Sequence, residues 1–196
     1  MCGHVHNSSS DIVRVQHGMV DNCGMEGKDL KQLIKLAESG DARAQFRLAF
    51  LHIKGSGVVK STAQAVHWYE MAANQGLSAA QYNLADMYLR GAGVEQSYIV
   101  AKDWFEKAAE QGDIDAQFNL GLLYLQGKGV EQSDQTAFSW FLKAAEKGSA
   151  RAMYDVGTLL AAGRGTDRDD TRAKEWFRKA AAHGVPRASD MLEEFE

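Results

Sequence analysis

The side chains that could do chemistry in this chain are six histidines, two cysteines and a short run of aspartates. Cys2, His4 and His6 form the densest group of side chains that zinc prefers as ligands. A structural zinc site needs four ligands at fixed spacing, and no second pair accompanies this group. We therefore predict no metal site here, and incidental metal affinity is the alternative.

An acidic run enters one of the predicted helices near the C-terminus. A calcium loop needs more oxygen ligands than this run has, and a closing glutamate at a defined spacing. Arginines surround the run, which favours helix capping and ion pairing. The aspartates are Asp167, Asp169 and Asp170, and the arginines are Arg164, Arg168 and Arg172.

No other motif indicates catalysis. Glycines recur in pairs, but no phosphate-binding glycine motif with its lysine is present. No serine or cysteine has a base placed beside it by a recognisable motif. We predict that the chain is not an enzyme and has no catalytic residue and no cofactor. The competing enzyme hypothesis would require a catalytic constellation outside these patterns.

Composition limits the partners. The chain has 196 residues, with 22 Lys plus Arg against 26 Asp plus Glu and a net charge of −4. Nucleic-acid binding needs clustered cations, so we predict no nucleic-acid partner. No stretch approaches the roughly 20 apolar residues of a membrane span, and no secretory signal is visible. We expect a cytoplasmic protein, or a periplasmic or secreted one if a signal was removed.

Most of the chain, including the acidic run, follows an internal repeat of 36 residues. All four tryptophans keep this interval, and single glycines and glycine pairs keep it too. Each repeat predicts two helices. In the third repeat the first helix covers about 116–126 and ends at Gly127, and Ser133 caps the second helix. Equivalent N-caps are predicted at Ser61, Ser97 and Asp169.

The same phase sets the domain boundaries. We predict a flexible segment at 1–27 and a capping helix at 28–40, and Pro186 opens a final capping helix at 185–196. The repeats between them are 41–76, 77–112, 113–148 and 149–184. Three histidines fit this scheme as packing or capping residues: His52, His67 and His183.

The third repeat resembles the Sel-1-like repeat (SLR) family. The resemblance rests on Ala116 to Tyr124, Gly127 to Val130, Trp140 with Phe141, and Lys143 to Gly148. It extends over about 28–196. It implies an all-α, right-handed superhelical solenoid related to tetratricopeptide arrays, which acts as a scaffold for other proteins. The chain lacks the repeat cysteines of the disulfide-bonded branch of this family.

The resemblance implies that the first helices line a concave groove that binds a peptide or protein segment. Phe46, Tyr82, Phe118 and Tyr154 recur at one phase and are either packing or contact residues of its floor. The partner-binding candidates change type between repeats at constant phase. They are Arg43, Phe50 and Lys54; Asp86 and Arg90; Asp115, Leu122 and Gln126; Arg151 and Thr158.

Within this set, Phe50 and Leu122 are predicted to be exposed apolar anchors among charged side chains. The leading hypothesis is a bacterial protein-interaction scaffold without catalytic activity. The alternative is an exported binder of a cell-wall or host molecule.

Overall fold

The computed structural model describes residues 27–193, and every regular element in that range is an α-helix. The chain forms two compact units, one ending at Ser97 and the other beginning at Tyr98. Unit 1 contains α1 (Gly27–Glu38), α2 (Ala42–Lys54), α3 (Thr62–Asn74) and α4 (Ser78–Arg90). Unit 2 contains α5 (Tyr98–Glu110), α6 (Ile114–Gln126), α7 (Asp134–Glu146), α8 (Ala150–Ala162), α9 (Asp170–Ala182) and α10 (Pro186–Glu193).

Helices stop and start at the residues that the repeat predicts. Gly127 adopts a φ of 64° after α6, and its N–H donates to the Leu123 carbonyl. The left-handed conformation is accessible to glycine because it has no Cβ. Ser133 and Asp169 each accept a hydrogen bond from a backbone N–H in the first turn of α7 and α9, and Ser61 does the same for α3. Side-chain capping thus satisfies donors that a helix start leaves free.

Aromatic pairs hold the two helices of a repeat together. In unit 2 the Phe118 and Phe141 ring centroids are 5.5 Å apart. In unit 1 the Phe46 and Tyr69 rings are 5.4 Å apart. Phe46 and Phe118 are both buried, so packing is their role. Tyr154, at the same phase in α8, is only half-buried and contacts the Phe177 ring.

A buried glutamine near the start of three first helices joins each to the preceding helix. Its Nε2 donates to a backbone carbonyl eight residues earlier, at 3.0 to 3.2 Å. The pairs are Gln45 with Ala37, Gln81 with Ala73, and Gln117 with Ala109. Met153 occupies the equivalent position in α8. These hydrogen bonds give buried amides a partner, which buried polar groups require.

Gly121 makes room for an aromatic ring inside unit 2. A Cβ at this helical position would lie 2.5 Å from Cε1 of Phe141.

Alanine normally stabilises a helix interior by about 1 kcal/mol relative to glycine. Overpacking costs about 1–3 kcal/mol, so we expect Gly121→Ala to lower the urea midpoint of unfolding. In a Phe141→Leu background the same change should raise the midpoint, and a loss of equal size there would contradict the steric explanation.

Candidate functional site

The predicted partner-binding residues lie on one stripe of each first helix. We define the variable stripe as four positions per helix, spaced i, i+4, i+7 and i+11, which share a helix face. Its members are Arg43, Arg47, Phe50 and Lys54 on α2; Ala79, Asn83, Asp86 and Arg90 on α4; Asp115, Asn119, Leu122 and Gln126 on α6; Arg151, Asp155, Thr158 and Ala162 on α8.

The prediction that Phe50 is an exposed anchor is wrong. Its relative exposure is 7%, and the Lys54 ammonium lies 5.8 Å from its ring centroid. Removing a phenyl ring from water is favourable. Neighbouring side chains cover this position of the α2 stripe enough to bury the ring. Phe50 is therefore a packing residue of unit 1.

Asp86 and Arg90 form an ion pair within α4. The Arg90 Nε donates to Asp86 Oδ1 at 2.8 Å, and the Asp86 side chain is buried. Burial raises the pKa of Asp86, while the Arg90 guanidinium opposes that rise. The carboxylate is thus held inside the unit, and only the arginine of the pair reaches the surface.

Unit 2 brings two predicted residues together across a repeat boundary. Arg151 Nη2 donates to Asp115 Oδ1 at 3.3 Å, which links α8 to α6. The same guanidinium lies 4.6 Å from the centroid of the buried Phe118 ring. An arginine above an aromatic ring gains cation–π attraction. The variable stripes of α6 and α8 therefore lie side by side.

The remaining predicted residues of unit 2 differ in exposure. Leu122 is half-buried and packs against the core of unit 2, so it is less exposed than predicted but still reaches solvent. The Thr158 hydroxyl donates to the Tyr154 carbonyl at 3.0 Å. Gln126 is exposed.

Sequence reasoning missed Asp155 and Arg47, which share one phase of the stripe. Burial raises the pKa of the Asp155 carboxyl to about 6, and Arg151 opposes the rise. The Nε of Arg47 is buried without a hydrogen-bond partner. The equivalent residues are Asn83 and Asn119. The change between cation, amide and carboxylate at one phase is visible in the sequence. The burial that makes a charge costly at this phase is not.

The repeat pattern also matches a known family. The Sel1 repeat model matches residues 42–77, 78–113, 114–149 and 150–185. The chain belongs to the Sel1 repeat family. Sel1 repeat proteins are generally protein-interaction scaffolds, and their fold is typically non-catalytic.

Solved Sel1 structures share the fold. A Sel1 repeat protein from Oxalobacter formigenes is 37% identical, with a TM-score of 0.77 over 86% of this chain and 49% of that one. A protective antigen of uropathogenic Escherichia coli, with an SLR fold, is 39% identical, with a TM-score of 0.80 over 83% of this chain and 35% of that one. The chain thus spans half or less of each relative. Comparison with curated proteins gives no match.

Cysteine rich protein B from Helicobacter pylori has the same fold at lower similarity. It is 22% identical, with a TM-score of 0.55 over 69% of this chain and 98% of that one. This likeness concerns the fold alone.

The acidic run has the structural role that the sequence predicts in a Sel1 repeat. Asp169 caps α9, and Arg168 makes two hydrogen bonds of 2.9 Å to the Asp170 carboxylate. Arg164 reaches the start of α7 and contacts both carboxylate oxygens of Asp134, at 2.8 and 2.9 Å. Capping and ion pairing therefore occupy this loop.

The histidines of the Sel1 repeats make local contacts. His52 Nδ1 lies 3.0 Å from the Val59 carbonyl, and His183 Nδ1 lies 2.9 Å from the Lys179 carbonyl. His67 packs edge-on against Trp68. The predictions for Cys2, His4 and His6 concern residues outside the described range. Within 27–193, no three metal-ligand side chains cluster, and none of the helices combines the length with the hydropathy of a membrane span.

Proposed function

We propose that this Sel1 repeat chain is a non-enzymatic scaffold that binds a peptide or protein segment along the variable stripes. Packing residues such as Phe141 and Phe177 recur every 36 residues and are buried. The stripe positions keep helical phase but change between cationic, anionic, polar and apolar types. Packing alone gives no reason for such variation on adjacent helices.

The observation that carries the proposal is the mixed surface of α6 and α8. Leu122 offers half-buried apolar area, and the exposed Arg151 crosses from α8 to Asp115 on α6. Asp155 adds a largely buried carboxyl group on the same stripe as Arg151. Apolar area surrounded by polar and charged groups is typical of protein-binding surfaces, and arginine is enriched among the residues that dominate their affinity.

The test is affinity capture from extract of the native cell, with wild type compared to Leu122→Asp. Aspartate stands at the same phase in α4, as Asp86, where Arg90 pairs with it. Since α6 has Gln126 at the Arg90 position, the folding of this variant is verified separately. We expect the captured protein to be lost, because a charge at an apolar contact costs desolvation on binding. Binding of that protein after purification then gives the affinity change, for which we expect about tenfold or more.

Two controls separate binding from folding. Ile99→Asp places the same charge at an exposed apolar residue of α5, outside the variable stripe. Leu122→Thr copies Thr158, the residue at the same phase in α8, and retains a small side chain. Circular dichroism verifies the helical content of each variant. If Ile99→Asp abolishes capture while Leu122→Asp does not, the partner surface lies elsewhere. Failure of wild type to capture any protein would favour the exported-binder hypothesis.

A further inference from the structure

The variable stripe of α2 differs from the other stripes in its charge. Three of its four residues are cationic: Arg43, Arg47 and Lys54. No aspartate or glutamate occurs anywhere in α2. In contrast, Arg90 on α4 and Arg151 on α8 each have a carboxylate partner within hydrogen-bonding distance. The α2 stripe is therefore a cationic surface without a matching acid on its own helix.

Arg47 is the cation of this stripe whose burial is least compensated by hydrogen bonds. Its side chain is partly buried, and its Nε has no hydrogen-bond acceptor. Among the described residues, Arg43 and Arg47 form no ion pair. A buried donor without an acceptor costs free energy, and a charged donor costs more than a neutral one. Such an arrangement is stabilised when an anion binds.

Two acids of unit 1, one at the start of α2 and one on the α4 stripe, make hydrogen bonds within or at the end of their own helices. Asp41 accepts the Ala44 N–H at 2.7 Å as the N-cap of α2. Asp86, the acid in the adjacent repeat's stripe, accepts from Arg90. The other Asp86 oxygen, Oδ2, is buried without a hydrogen-bond partner, and neither carboxylate is paired with Arg47. No acid of the described part of unit 1 forms an ion pair with Arg47, so an anion from outside that part can pair with it.

The spacing of the cations indicates an extended acidic peptide. Arg43 and Arg47 are four residues apart on a helix, which is about 6 Å along its axis. Alternate residues of an extended peptide lie about 6.6 Å apart and point to the same side. Guanidinium groups bind carboxylates through paired hydrogen bonds. A net charge of −4 for the chain disfavours a nucleic acid, which would meet repulsion beyond this small patch.

We propose that the α2 stripe binds a peptide segment carrying two acidic residues separated by one residue, with Arg47 and Arg43 each holding a carboxylate. This inference rests on the proposed scaffold function and names the chemistry of the partner at unit 1. It concerns a different unit from the Leu122 test, so the two can fail independently.

The experiment titrates the full chain with a six-residue peptide that has glutamate at its second and fourth positions and alanine elsewhere. Amide chemical shifts in the NMR spectrum report both the site and the dissociation constant. The probe with glutamine in place of glutamate is the matched control. We expect shifts centred on α2 and an affinity for the acidic peptide about tenfold higher than for the control, with a decrease as salt is raised.

The variants copy residues that the repeats already use at the same phase. Arg47→Asn reproduces Asn83 and Asn119, and Arg43→Ala reproduces Ala79. We expect Arg47→Asn to weaken acidic-peptide binding about tenfold and Arg43→Ala by less, because Arg43 is more exposed. Arg178→Ala removes an exposed arginine from α9 and should leave binding unchanged.

Several outcomes would overturn the inference. These are equal binding of the glutamine peptide, unchanged binding in both α2 variants, or displacement by inorganic phosphate at concentrations comparable to the peptide. Tighter binding of a single-stranded oligonucleotide at the same amides would also overturn it. If any of these outcomes occurs while Leu122→Asp still abolishes capture, the scaffold function is retained and the proposed specificity for acidic peptides is wrong.

Discussion

Replacing Gly129 with alanine should lower the free energy of unfolding by about 3 kcal/mol or more. Two independent costs add at this position. Its φ of 71° is unfavourable for a residue with a Cβ, by about 1–2 kcal/mol. The added Cβ would also lie 2.6 Å from the Tyr98 carbonyl carbon and 2.8 Å from the Ile99 nitrogen, at the start of α5. Backbone atoms cannot rotate away as a side chain can, so the helices must shift.

Gly127→Ala is the matched control for that prediction. Its φ of 64° is nearly the same, but the nearest atom to its added Cβ is the Gln132 Cβ, at 3.2 Å. We expect only the conformational cost of about 1–2 kcal/mol. Urea unfolding of both variants, followed by far-ultraviolet circular dichroism, measures the difference. Equal losses for the two variants would show that the close approach to α5 has no energetic consequence.

The two glycines of a pair show how far the sequence could predict this fold. Recurrence at a helix end predicts the left-handed stop at Gly127, because only the local chain decides it. The role of Gly129 depends on which helix lies behind it, and a neighbour 30 residues earlier is invisible to local pattern. The caps Ser61, Ser133 and Asp169 were predictable for the same reason as Gly127. Their hydrogen-bond partners lie three residues away.

The candidate site was predictable in phase but not in burial. Helical spacing places Phe50 and Leu122 at equivalent positions of their stripes, yet Phe50 is buried and Leu122 is half-buried. The difference depends on how neighbouring side chains cover each ring or methyl group, which periodicity does not encode. Arg47 and Asp155 were missed for the same reason. Their types varied visibly, but only burial makes an unpaired charge costly.

The charge of the stripes differs between the two units. In unit 2, Arg151 pairs with Asp115 and lies over the Phe118 ring. In unit 1, the α2 stripe has cations without an acid on the helix. If the stripes bind a partner as proposed, repeats of one length offer it two chemistries, while recurring core residues such as Phe141 and Phe177 maintain the fold.

Asp155→Asn should stabilise the protein at pH 7 by about 1–3 kcal/mol. Burial raises the pKa of Asp155 from its ordinary value near 3.8 to about 6, so the folded state binds this proton more tightly than the unfolded state. The contribution of Asp155 to stability is therefore highest below pH 3.8 and is lost as pH rises through 6. The full difference corresponds to about 3 kcal/mol. Asparagine removes the cost of burying a charged carboxylate. Its side chain can donate to the Arg151 backbone carbonyl, as Asn119 Nδ2 donates to the Asp115 backbone carbonyl.

Urea midpoints at pH 4.5 and 7.5 measure this effect as the difference between variant and wild type. The gain from Asp155→Asn should be large at pH 7.5 and small at pH 4.5. Asp170→Asn is the control of opposite sign, because Arg168 lowers the pKa of that exposed carboxyl, so its removal should give no gain at pH 7.5. A stability gain for Asp155→Asn that does not change with pH would mean that the carboxylate is not strained by burial. The expected pH-dependent gain would mean that the folded protein retains a carboxylate at a cost in stability. A role in contacting a partner would account for that cost.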